Sequence, residues 1–224
     1  MVKRSAQCFE NMNIPDSAIT YYQRVWGIDS TDSFSAASLI NLYLKSGKEE
    51  LNDAITYSEL YIARDSTHKQ INILNGLCYY ASDLYQKAIE KLEKCYATGD
   101  STLIVSGRLG ISYYSLNLYA KAHPFLVKAY KQDSTNNNVL YCLANISNEI
   151  SDHKSAVKYF TTLIRRVVPA DLTLYLYYRG LGKGCKGDNN MLAAVENLKT
   201  AEKYAGTNLK LNLLYDMPYC MTTN

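Results

Sequence analysis

An alanine followed by a bulky residue returns along the chain at Ala18, Ala54, Ala88, Ala122, Ala156 and Ala194, at intervals of 36, 34, 34, 34 and 38 residues. A fixed period of this size marks stacked helical hairpins. Each repeat is one supersecondary unit that cannot bury its apolar face alone, so neighbours must stack and share a core. The expected fold class is therefore all-α, an α-α superhelix built as a solenoid of antiparallel helical hairpins.

Composition agrees. The 224 residues are 47% hydrophobic and 20% charged with four prolines, which suits a folded helical chain and argues against disorder. A net charge of +3 is too small for a nucleic-acid footprint. No stretch approaches the roughly 18 consecutive apolar residues of a membrane helix, and Met1 to Gln7 is not followed by the apolar core of a signal peptide. Cys8, Cys78, Cys95, Cys142, Cys185 and Cys220 are dispersed, with no C-x-x-C pair and no histidine at metal-ligand spacing. Buried free thiols are expected, which leans toward a reducing, cytoplasmic setting; a periplasmic one stays open if a leader has been trimmed. The 21 tyrosines read as amphipathic packing at helix interfaces or as a sticky groove.

Around Gly110 the chain runs Leu109-Gly110-Ile111-Ser112-Tyr113, then Tyr119 and Ala122, with Leu126 and Ala129 beyond. This resembles the tetratricopeptide repeat, with its Leu-Gly-x-x-Tyr run in the first helix and Ala-x-x-x-Phe in the second. Gly76 with Tyr79, Tyr85, Ala88 and Leu92 repeats the pattern, as do Leu143-Ala144 with Ala156 and Phe160, and Leu181-Gly182 with Ala194, Leu198 and Ala201. A small residue in each helix lets two backbones approach while large residues one turn away fill the gaps. The consensus tryptophan is replaced by Asn72, Ser106, Leu140 and Tyr178, and most closing prolines are missing. The resemblance implies a right-handed solenoid of about thirteen helices.

Asn13, Gly47, Asp83, Asn117, Ser151 and Asn189 occupy the turn within each hairpin, residue types that cap helices or tolerate left-handed backbone. Several repeats close on Asp-Ser-Thr, at Asp29 to Thr31, Asp65 to Thr67, Asp100 to Thr102 and Asp133 to Thr135, which predicts an N-cap for the next helix in place of a proline turn. One continuous domain is expected, with repeats at about 1–32, 33–68, 69–102, 103–136, 137–174 and 175–208 and a terminal helix at 209–217. The longer intervals predict extra turn residues around Lys48 to Leu51 and an extension near Val167 to Asp171, where Pro169 interrupts the helix or its link. Both ends look unsealed, the last because Leu209, Leu211, Leu213, Leu214 and Tyr215 leave no polar outer face. This suggests a homodimer or the continuation of a longer array.

No enzyme signature emerges. Arg179-Gly180-Leu181-Gly182-Lys183-Gly184-Cys185-Lys186-Gly187 has neither dinucleotide spacing nor a Ser or Thr after Gly-Lys, and the period puts Gly182 at a helix contact and Gly187 at a turn. His68, His123 and His153 fall in different repeats without a nucleophile partner. No catalytic residue, metal or cofactor is expected.

In the repeats this chain resembles, ligands lie against the first helices, on a concave face. The stripe at i, i+4, i+7 gives Ala37, Asn41 and Leu44; Ile73, Leu77 and Tyr80; Gly107, Ile111 and Tyr114; Asn138, Tyr141, Asn145 and Asn148; and Arg179, Lys183 and Lys186. The apolar centre could take peptide side chains, the asparagines could pair with its backbone, and the cations could favour an acidic residue or a terminal carboxylate. The same residues could instead pack between adjacent first helices, with Arg179, Lys183 and Lys186 a solvated stripe. Some members clamp acidic chaperone tails; Asn41 and Arg108 sit at comparable places, but Ala37 and Ile104 stand where clamp lysines belong, so that ligand is not implied. The expected function is a non-catalytic scaffold binding a peptide or partner-protein segment. The alternative is a regulatory or substrate-recruiting part of a larger enzyme or sensor.

Overall fold

The computed structural model describes residues 1–166 and 171–217. Every regular element among them is a helix. The chain divides into two compact units, Met1–Asn117 and Leu118–Asn224. The first holds α1 (Val2–Asn11), α2 (Pro15–Ile28), α3 (Ser33–Ser46), α4 (Leu51–Ile62), α5 (Lys69–Ala81), α6 (Tyr85–Ala97) and α7 (Leu103–Ser115). The second holds α8 (Tyr119–Gln132), α9 (Asn137–Glu149), α10 (His153–Arg166), α11 (Asp171–Gly187), α12 (Met191–Tyr204) and α13 (Thr207–Asp216).

The recurring alanine is always the fourth residue of an even-numbered helix, and all six copies are fully buried. In the third and sixth hairpins the first helix carries a glycine where the two helices meet. A Cβ added to Gly76 would lie 2.6 Å from Leu92 Cδ2, and one added to Gly182 would lie 2.7 Å from Leu198 Cγ and 3.3 Å from the Ala194 carbonyl. Close backbone approach thus sets the period. In each unit consecutive helices pack on one another, and the contacts between helices two apart join odd-numbered ones: α3 with α5, α5 with α7, α9 with α11, and α11 with α13. The first helix of each hairpin therefore lies on the tighter side of the stack.

The turn residues adopt the conformations their types suggest. Asn13, Asp83, Asn117, Ser151 and Asn189 have φ between 57° and 63°, and Gly47 has φ 135°. Left-handed backbone lets the next amide reach back over the helix end, as in Ile14 N to Phe9 O, Leu84 N to Tyr79 O and Asn190 N to Cys185 O, satisfying otherwise orphaned carbonyls. Serine tolerates this region less well than asparagine or glycine. Ser151→Gly is therefore expected to stabilise the chain by about 0.5–1 kcal/mol, the relief of strain exceeding the added chain entropy. A thermal midpoint that does not rise would contradict this.

The Asp-Ser-Thr segments act differently from the expected N-caps. Asp29, Asp65, Asp100 and Asp133 each accept from the amide and the hydroxyl of the threonine two residues on, at 2.6–3.1 Å. These turns tighten the connection, and the threonine bonds hold the Asp29, Asp65 and Asp133 carboxyls below the usual aspartate range. Capping passes to the next residue where one is used: the His68 ring accepts from Ile71 N and the Asn136 amide oxygen from Val139 N. The aspartate is one turn too early in the chain to reach those amides.

The longer intervals are absorbed mainly by helix. α3 has 14 residues against 13 in α5, and the following linker, 47–50, has four residues where 82–84 has three. α11 has 17 residues against 13 in α9. Pro169 and the adjoining 167–170 lie outside the described residues, as does Cys220.

Tyrosine is a packing residue throughout: Tyr22, Tyr43, Tyr61, Tyr79, Tyr113, Tyr175 and Tyr177 are buried. Several bury a ring and tie down the hydroxyl. Tyr79 donates to Glu59 at 3.0 Å, Tyr113 donates to Glu93, and Tyr43 accepts from Gln23 at 2.7 Å, each across 20 residues to the preceding hairpin. Cys78, Cys95, Cys142 and Cys185 are buried free thiols, and burial pushes Cys78 and Cys142 up to about 12. Cys8, expected to be buried with them, is exposed near the end of α1.

Candidate functional site

In the first unit the predicted stripe falls on α3, α5 and α7, with Asn41, Leu77, Tyr80, Ile111 and Tyr114 all half-buried. Leu77 packs against the unit's core. Ile73 lines a cavity of about 440 Å³ together with Ile62 of α4 and Lys91, Lys94 and Cys95 of α6, which separates it from the other stripe residues. Tyr80 sets the chemistry of this face. Its ring lies against Tyr85 with centroids 6.0 Å apart and carries the Arg108 guanidinium 4.8 Å from its centroid, while its hydroxyl accepts from Arg108 at 3.4 Å. Arg108 is half-buried and has no carboxylate partner among the described residues. A stacked guanidinium has already lost much of its rotamer freedom, so a carboxylate arriving there meets a preoriented fork of donors.

In the second unit the stripe is engaged within the fold. Tyr141 lies against Phe160 and Tyr177, at centroid distances of 6.2 and 5.7 Å, and burial raises its phenol above the usual range. Asn145 donates to the Tyr141 carbonyl, and Asn148 donates to the Gly180 carbonyl at 3.0 Å, bridging α9 and α11. Asn138 is exposed. Arg179, Lys183 and Lys186 converge on one residue at the end of α13. Arg179 Nε donates to Asp216 Oδ2, Lys183 Nζ lies 3.4 Å from Oδ1, and Lys186 Nζ donates to the Asp216 carbonyl at 3.1 Å. The stripe is therefore not simply solvated, since it holds a carboxylate of its own chain.

The glycine run between them is a helix face. A Cβ on Gly180 would meet the Phe160 ring at 2.2 Å, one on Gly184 would meet Val157 at 3.2 Å, and one on Gly187 would meet the His153 ring at 2.4 Å. Gly187 is thus the last residue of α11, covered by His153, and not a turn residue as its sequence position suggested. With spacing i, i+4, i+7 these glycines let α11 lie close on α10. Among the described residues no three His, Cys, Asp or Glu side chains gather as a metal site, and no helix is long and apolar enough to cross a membrane.

Asp216 carries no signal in the period, because it sits on α13, beyond the last recurring alanine, and meets cations 30 to 37 residues earlier in the chain. Arg108 was visible in the sequence as a residue at a clamp-like place, but the aromatic that holds it lies 28 residues earlier and the period does not pair the two.

The geometry has close parallels among solved structures. YrrB, described as a TPR protein with an unusual peptide-binding site, superposes with a TM-score of 0.73 at 17% identity, over 87% of this chain and 97% of its own. Pseudomonas aeruginosa PilF matches with a TM-score of 0.70 at 15% identity over 96% of both chains, and MamA with 0.63 at 21% identity over 71% of this chain and 92% of its own. The chain has the tetratricopeptide-repeat fold. No family model matches the sequence, and no curated protein matches it.

Proposed function

We propose that this chain is a non-catalytic scaffold that binds a peptide or a segment of a partner protein along the first-helix face of its first unit. Arg108 carries the reading. It is a guanidinium fixed on the Tyr80 ring with no carboxylate partner among the described residues. On the same two helices, α5 and α7, Leu77, Ile111 and Tyr114 are half-buried apolar and aromatic residues, and on α3 the Asn41 side chain makes no hydrogen bond among the described residues. Such a face suits a segment with apolar side chains and one acidic group or a terminal carboxylate. The peptide-binding description of YrrB supports the same use of the fold. A net charge of only +3 disfavours nucleic acid.

A peptide array probed with the wild-type chain and with Arg108→Glu and Tyr80→Ala tests this. Acidic or free-carboxylate peptides are expected to lose about tenfold in affinity with Arg108→Glu, and less with Tyr80→Ala, which leaves the charge but frees it. Equal capture by all three proteins would remove this face from consideration.

A further inference from the structure

α13 presents Leu209, Leu213 and Asp216 at the spacing i, i+4, i+7, which places them on one side of the helix. Leu213 is only 3% exposed, and with Leu209 and Met217 it packs among Tyr175, Tyr178, Leu198 and Tyr204 of α11 and α12. One turn beyond, Asp216 receives all three cations of the α11 stripe. The helix is thus held by an apolar pair and one carboxylate.

The charges do not balance. Asp216 is the sole acidic residue of α13, while Arg179, Lys183 and Lys186 bring three positive charges. Asp216 itself is well covered, at 12% side-chain exposure, but Lys183 remains 42% exposed. A helix with a second carboxylate near that end would gain an attraction that α13 cannot make.

We propose that the α11–α12 face is a docking surface for an acidic amphipathic helix of a partner protein, and that α13 occupies it in cis until such a helix displaces it. The partner helix carries apolar residues at i and i+4, a carboxylate at i+7, and at least one more acidic residue beside it. α13 is both the cover of this surface and the template of its ligand. This surface belongs to the second unit and Arg108 to the first, and the two can be tested apart.

The probe is a fluorescein-labelled peptide of residues 205–217 followed by two glutamates, titrated by anisotropy into full-length protein. Asp216→Lys turns the internal contact into repulsion and is expected to bind the peptide at least tenfold more tightly than wild type. Adding Arg179→Glu and Lys183→Glu to that variant should lose the gain, whereas adding Arg108→Glu should not. Asp216→Asn, which removes charge without reversing it, should give an intermediate gain with helicity retained by circular dichroism. The same Kd for wild type, Asp216→Lys and Asp216→Asn would overturn the proposal, as would binding indifferent to charge reversal on α11. Sedimentation separates the remaining occupant: an Asp216→Lys dimer that excludes the peptide would assign the surface to a second copy and overturn the partner reading.

Discussion

Phe160→Ala is expected to lower the stability of the second unit by about 3–5 kcal/mol, as befits the loss of a large ring from a closed core. Phe160 has no exposed surface, packs against Tyr141, and has Gly180 directly above it. The neighbour gives the prediction a second edge. Gly180→Ala alone drives a methyl to 2.2 Å from the ring, and with the ring confined on all sides the overpacking costs about 1–3 kcal/mol. Against that stands only the roughly 0.5–1 kcal/mol that alanine gains over glycine inside a helix. Gly180→Ala should therefore destabilise the wild type yet stabilise Phe160→Ala, where the clash has gone. Denaturant midpoints of the four proteins measure this reversal of sign. If Gly180→Ala has the same effect in both backgrounds, the glycine is not there to admit the ring.

The second large effect is expected at Glu59. Its Oε1 accepts from Asn75 Nδ2 at 3.0 Å, from the Tyr79 hydroxyl at 3.0 Å and from Lys91 Nζ at 2.8 Å, so one carboxylate joins α4, α5 and α6. Burial works to raise its pKa, but the bonds from Lys91, Asn75 and Tyr79 outweigh burial and hold the carboxyl below the ordinary 4.5. The same partnership pushes the Tyr79 phenol up to about 12, first through burial and then through the hydrogen bond to Glu59. Glu59→Ala leaves the Tyr79 hydroxyl unpaired in a largely buried place, whereas Asn75 keeps Ser58 and Lys91 can turn to water. The loss should be about 2 kcal/mol, chiefly that of one unsatisfied polar group. The ion pair adds little, because Glu59 is 38% exposed and screened by solvent.

The sign of the pH dependence follows. A carboxyl whose folded pKa lies below its unfolded value contributes stability above the unfolded value and loses that contribution as pH falls through the folded one. The gap between wild type and Glu59→Gln should therefore be full at neutral pH and shrink below about pH 4.5. Thermal midpoints of the two proteins from pH 7 to pH 3 measure it. A gap that stays constant or widens in acid would mean that Glu59 is not held as a carboxylate by its neighbours.

How legible such features were depends on whether local chemistry or distant placement creates them. The turns were legible because φ is a property of one residue: Asn13, Asp83, Asn117 and Asn189 are residue types able to enter the left-handed region, and they do. The Asp-Ser-Thr segments were half legible. Aspartate forms a turn wherever a threonine follows two places on, but which residue caps the next helix depends on where that helix begins. Gly182 could be sorted from the period alone, because it repeats Gly76. Gly180, Gly184 and Gly187 could not, since what they admit is the Phe160 ring, Val157 and the His153 ring of a different helix.

The residue pattern alone dictated the architecture. A small residue returning every 34 residues or so dictates close pairing of two helices, and each short hairpin connection folds its chain back on itself. It also marked first-helix stripes that were candidates for recognition. How those stripes are used was set by the packing of the folded chain. The packing stacks Arg108 on Tyr80 with no carboxylate partner among the described residues, and it lays α13 across Arg179, Lys183 and Lys186 so that Asp216 sits among them. The physical reason is that a periodic signal encodes contacts repeated in every hairpin. A single cation and a single carboxylate occur once, and only their positions in space determine whether they meet.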